Sequence, residues 1–98
     1  MESASKNDIS IRLPDERWEH IIEQHPEMAE YRDEVMLVIG DPYCILQGNQ
    51  GELLAIREVQ PDKWLVAAYR ESGEDGFVIT AFLTRRRNWW DRKEQVWP

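Results

Sequence analysis

The chain holds one cysteine, two histidines, no internal repeat and no long apolar run, and each shortage removes a class of function. Cys44, inside YCIL, has no partner for an internal disulfide, so a disulfide scaffold and dithiol redox chemistry are excluded and the thiol reads as a buried structural group. His20 and His25 are joined by no further histidine and no second cysteine, which leaves a metal centre built on such ligands incomplete. No metal and no cofactor is implied. No stretch approaches the roughly 20 apolar residues of a membrane span, and MESASKND lacks the apolar core of a secretory leader. The expectation is a cytoplasmic protein that engages no membrane. A net charge of -7 is also short of the cations with which a general nucleic-acid coat displaces counterions.

What is present suits one small domain. Ninety-eight residues allow a single core, and 42% hydrophobic residues with five tryptophans give more to bury than a disordered chain needs. Charge is polarised along the sequence. Residues 15–34 carry eight acids against Arg17 and Arg32, a balance of -6, whereas residues 85–98 carry five bases against Asp91 and Glu94, a balance of +3. The acidic stretch suits a basic partner or plain solvation, and the basic end suits an acidic partner.

Periodicity divides the chain in two. Pro14 opens a helix in which Trp18, Ile21, Ile22 and His25 form an apolar stripe, and Pro26 stops it because a residue before proline leaves the helical region. A second helix from Pro26, with Met28, Tyr31, Val35 and Val38 on one side, ends at Gly40. The period then changes to two, predicting strands over 43–47, 52–59, 63–70 and 76–84 joined by GNQG, QPD and ESGED. Short connections make neighbours antiparallel. The predicted fold is α+β, two N-terminal helices packed on one face of a four-stranded antiparallel sheet whose other face is open. Residues 1–13 form a lead-in, with ISIRL as a brief strand or extended segment, 14–84 the single domain, and 85–98 a basic, Trp-rich tail.

Pairing through the ESGED turn sets Tyr69 opposite Val78, Ala67 opposite Thr80 and Leu65 opposite Phe82, one face that also holds Thr84. Trp64, Val66, Ala68, Phe77, Ile79, Ala81 and Leu83 fall on the reverse. The second set is the more uniformly apolar, so it is expected to meet the helices, leaving Tyr69, Thr80 and Thr84 on the open face. In the 52–59 strand either Arg57 or Glu58 points to that open face.

The two histidines are five positions apart, about 140° around a helix, so they diverge instead of gripping one ion. His20 lies beside the apolar stripe. His25, at the junction before Pro26, reads either as a capping or packing residue or as a catalytic one.

The segments RWEHIIEQHPEM, YCILQGNQGELLAIREV and KWLVAAYRESGEDGFVITAFLT resemble the barnase/EndoU/colicin/RelE-like nucleases, in the phage-type variants with a helical His-x-x-x-x-His-Pro-Glu, over about residues 17–85. That resemblance implies metal-independent RNA cleavage, usually by toxins, on a concave sheet. Carried over, it nominates His20 and His25 on the helix, Arg57 or Arg70 on a strand, and Thr80 with Thr84 behind it. Gln24 stands where comparable members often carry Arg, which removes a cation from the site.

The chemistry has its own logic. Cleavage by the 2'-hydroxyl needs a base, a cation for charge building on phosphorus and an acid for the leaving oxygen. His25 or Glu58 is available as base, Arg57 or Arg70 as cation and His20 or His25 as acid, while Tyr69 is placed to stack a base and Thr80 to bond a phosphate oxygen. Each also has an ordinary reading as an edge residue or strand former. In the tail, Leu83, Trp90 and Trp97 fall seven apart, one stripe if helical, and Arg85, Arg86 and Arg87 can hold a phosphate backbone. Trp and Arg equally suit a protein interface, including a homodimer through the tail. Two functions follow: an endoribonuclease-like domain acting on RNA such as tRNA or mRNA, or a catalytically silent member of the same fold that binds an antitoxin or other protein. The acidic charge and Gln24 favour the second, and the histidines, Arg57 and Thr80 the first.

Overall fold

The computed structural model describes all 98 residues. Pro14 stands extended ahead of helix α1 (Asp15–Gln24), whose first turn carries Asp15 and Glu16 at the positive end of its dipole. Asp15 Oδ1 accepts from Arg32 Nη2 at 2.6 Å, and that hydrogen bond, with the guanidinium charge, holds the Asp15 carboxyl below its ordinary range. Trp18 and Ile21 turn into the core. The helix ends at His25, with φ -133°, as Pro26 requires.

The second predicted helix is interrupted. Pro26–Glu30 form a 3₁₀ turn, Tyr31 adopts φ -116° and ψ 17°, and helix α2 runs Arg32–Gly40. The break lets Met28 and Val35 both reach the core, each fully buried. The four predicted strands are present as β3 (Cys44–Gln47), β4 (Leu53–Gln60), β5 (Lys63–Ser72) and β6 (Asp75–Thr84), antiparallel in sequence order.

The sheet is larger than four strands. Two short N-terminal strands, β1 (Glu2–Ala4) and β2 (Ser10–Arg12), pair with each other, and β2 lies parallel to β6. At the other edge β7 (Gln95–Trp97) pairs with β3. The order is β1-β2-β6-β5-β4-β3-β7, a seven-stranded mixed sheet in place of the expected four-stranded antiparallel one. Lead-in and tail are therefore both part of the sheet. Their strands are three residues long, too short for a period of two to register. Ser5 and Asn7, between β1 and β2, both donate to the Glu71 carboxylate on β5. At Gly76 a Cβ would stand 2.5 Å from the Arg70 carbonyl and 2.6 Å from Ile11 Cδ1, so only glycine lets β2 and β5 close on β6 from both sides.

Register overturns the predicted faces of β5 and of Val78, while Ala81 and Leu83 meet the helices and Thr80 and Thr84 face away from them as expected. Tyr69 pairs with Val78 as expected, but a bulge follows, and Ala68 pairs with Thr80, Ala67 with Ala81 and Leu65 with Leu83. Ile79 is the extra residue, and one extra residue exchanges the faces of everything after it. Leu65, Ala67, Tyr69, Val78 and Ala81 pack under the helices with Ile21, Val35 and Ile39. Trp64, Val66 and Ala68 look the other way, with Cys44, Leu46, Leu54 and Ile56.

That second face is closed, not open. After β6 the chain recrosses it, and Trp90, in a short 3₁₀ turn, packs on Trp64 with ring centroids 5.1 Å apart, while Trp89 and Phe82 border the same cluster. Leu83, Trp90 and Trp97 thus serve three places, beneath the helices, on the far face and in β7, instead of one helical stripe. No helix is long and apolar enough to cross a membrane.

If the crossing segment is part of the core, Trp90→Ala will lower unfolding free energy by about 3 kcal/mol or more in urea titration, as for other buried tryptophans. A change within about 0.5 kcal/mol would mean a loose tail.

Candidate functional site

The nominated residues are dispersed by the fold. His20 is exposed on α1 and lines a shallow groove of about 450 Å³ with Pro14, Glu16, Arg17, Phe77 and Val78. His25 is the C-terminal cap of α1: its N–H donates to Ile21 O at 2.7 Å and its carbonyl accepts from Met28 N at 2.9 Å. Its ring lies 6.0 Å from Phe82, and Nδ1 is 3.6 Å from Glu27 Oε2, too far for a hydrogen bond. Of the two readings of His25, capping and packing has geometry on its side.

Arg57 lies opposite Leu65 and so on the helical face, with Glu58 opposite Trp64 on the other. Arg57 Nη1 donates to Asp41 Oδ2 at 2.6 Å and to the Asp41 carbonyl at 2.8 Å, fastening the C-terminal end of α2 to β4. Glu58 Oε2 accepts the Asp62 N–H at 2.9 Å and steadies the β4–β5 turn. Arg70 Nη2 donates to Gln50 O at 3.0 Å in the β3–β4 hairpin.

Tyr69 is 1% exposed beneath the helices, where no nucleobase reaches it, and burial pushes its phenol well above the ordinary value, with Glu71 adding to the effect. The face assignment that exposed it fails because both sides of β5 are apolar. Thr80, on the far face, has its Oγ1 buried without a hydrogen-bond partner. Thr84 Oγ1 accepts the Arg86 N–H at 3.0 Å, a turn contact at the start of the crossing segment. Arg85 Nη1 reaches the Asp62 carbonyl at 3.4 Å, and the Arg86 carbonyl accepts from Trp89 Nε1 at 2.9 Å. Both arginine side chains belong to exposed residues.

One end of the molecule gathers what sequence reasoning left apart. A groove of about 460 Å³ opens where α2, β3 and β4 meet, lined by Asp41, Pro42, Tyr43, Arg57, Glu58 and Trp64. Tyr43 is 60% exposed, its ring 5.5 Å from Trp64 and 6.1 Å from Trp90. Arg87 stands over both tryptophans, 4.9 Å from the Trp64 ring and 4.7 Å from that of Trp90. No known family model, curated protein or solved structure matches this chain. The site must be read from its own chemistry.

The groove combines an exposed tyrosine, a tryptophan wall and an arginine whose charge is countered by a carboxylate. Arg57 faces Asp41, and the side chains include no group of three or more His, Cys, Asp and Glu placed to hold a metal ion. Tyr43, Trp64 and Arg87 were not nominated for this end. Tyr43 opens the predicted 43–47 strand but stands just ahead of β3, directly after Pro42, and Trp64 lies opposite Glu58 on the side that Trp90 covers. A Tyr beside proline at a helix-to-strand junction is the one local signal that exposure was in prospect.

Arg57→Ala and Asp41→Ala will each cost about 0.5–1 kcal/mol, and the double variant little more than either, in a urea double-mutant cycle. Burial raises the Cys44 thiol, with Arg87 acting weakly against it. The folded thiol thus keeps its proton to higher pH than the unfolded one. Its contribution is complete below the unfolded value of about 8.5 and is lost as pH rises above it, so the native chain will lose more stability than Cys44→Ala between about pH 7 and 9.5.

Proposed function

We propose that this chain is a catalytically silent, protein-binding module. The observation that carries it is the Tyr43–Trp64–Arg57 groove, in which the cation is already paired with Asp41. Phosphate binding gains from cations free to replace the counterions of the phosphates, and Arg57 is already held by the Asp41 carboxylate. Protein interfaces draw their largest contributions from Tyr, Trp and Arg, and all three stand at this end.

The ribonuclease reading needs a base, an acid and a cation around one phosphate. His20 lines one groove, Arg57 another, Tyr69 is in the core and His25 caps a helix. The antitoxin or other protein partner of the silent reading needs none of these together.

Total RNA and tRNA incubated with the purified chain in EDTA will remain whole. Fragments with cyclic phosphate ends that vanish with His25→Ala would reverse the proposal. On the binding side, a partner retained by the native chain from its own cell extract will be lost with Tyr43→Ala while the melting temperature is unchanged. Retention undiminished in that variant would remove the groove from the account.

A further inference from the structure

The groove beside Tyr43 does not end at Arg57. A second depression of about 220 Å³, on the helical side, is lined by Glu34, Leu37, Val38 and Val59 and shares Arg57 and Glu58 with the first. The two meet along β4 for a topological reason. β3 begins at Cys44 opposite Ile56, so β4 beyond Ile56 is paired with β5 alone and its other edge is uncovered. A bulge between Glu58 and Gln60 bends that edge, which limits backbone pairing with an added strand and leaves recognition to side chains.

Those side chains are apolar and acidic. Leu37 is 54% and Tyr43 60% exposed, two of the five large apolar side chains left in solvent, and they stand on either side of the shared Arg57–Glu58 strip. Among the lining charges Glu34, Asp41 and Glu58 face the single cation Arg57, which Asp41 already neutralises, so Glu34 and Glu58 are in surplus. Arg87 is held over Trp64 and Trp90 at the far end, and Arg85 Nη1 is tied to the Asp62 carbonyl in the β4–β5 turn.

Resting on the protein-binding reading, we infer that this joined groove takes a short segment of another protein in which an apolar side chain is flanked by Lys or Arg. The apolar residue covers Leu37 and Tyr43, and the flanking cations meet Glu34 and Glu58. An acidic segment or a phosphate backbone meets two surplus carboxylates and is turned away.

The test is selection of short random peptides, displayed on phage, against the immobilised full chain, followed by anisotropy titration of the enriched sequences as labelled peptides. The expected result is enrichment of apolar residues flanked by Lys or Arg, with affinity lowered about tenfold or more by Tyr43→Ser and by Glu58→Lys. Both positions are exposed, and circular dichroism melting verifies that each variant folds. Enrichment of acidic sequences, no enrichment at all, or binding indifferent to both substitutions would overturn the groove assignment. Indifferent binding leaves the protein-binding reading standing with its surface elsewhere, whereas RNA cleavage by the native chain removes that reading itself.

Discussion

Strand β5 is buried on both faces along six consecutive residues, Trp64 to Tyr69, none more than 8% exposed, and the rest of the molecule is arranged to satisfy that condition. A strand apolar on both sides needs two covers. Helices α1 and α2 supply one over Leu65, Ala67 and Tyr69. The other can come only from chain left over after the last hairpin, and Trp90 on Trp64, with Arg87 over both rings, supplies it. Once the crossing segment is in place, β7 reaches the free edge of β3 and completes the sheet. Burial of one strand thus decides the path of the last 14 residues.

The same condition decides which groups are free to act. Tyr69 goes to the helical core, and the bulge at Ile79 sends Thr80 and Phe82 to the far face beside the tail. Arg57 is drawn to the exposed end of α2, where the Asp41 carbonyl has no helical partner and accepts its guanidinium instead. What is left uncovered is the corner where β3 stops short and β4 runs on. Tyr43, Leu37 and the surplus carboxylates lie there because no element is long enough to cover them.

Much of this was legible and some was not, for definable reasons. The helix over 15–24, its stop at Pro26 and the four strands from Cys44 to Thr84 follow from periodicity and turn residues, and they are where those signals place them. Strands β1, β2 and β7 are too short to carry a period. The pairing Tyr69–Val78 was readable from the turn, but a bulge between two apolar residues leaves no mark in composition, and it displaced the rest of the register. Face assignment failed along β5 for a related reason: choosing the more apolar side works only when one side is wet. The nominated side chains do not converge on one place, since their convergence depended on that register.

The account turns on the tail being part of the cooperative fold. The amide of Gln47, on β3, donates to the Glu94 carbonyl of the tail at 2.8 Å, so its protection reports directly on whether the second cover is in place. Native-state hydrogen exchange should find the Gln47 amide opening with a free energy within about 1 kcal/mol of the β5 amides, and falling away from them in Trp90→Ala. Exchange of Gln47 near the rate of an unstructured amide, with β5 protected, would mean that the far face closes without the tail and would contradict the two-cover account.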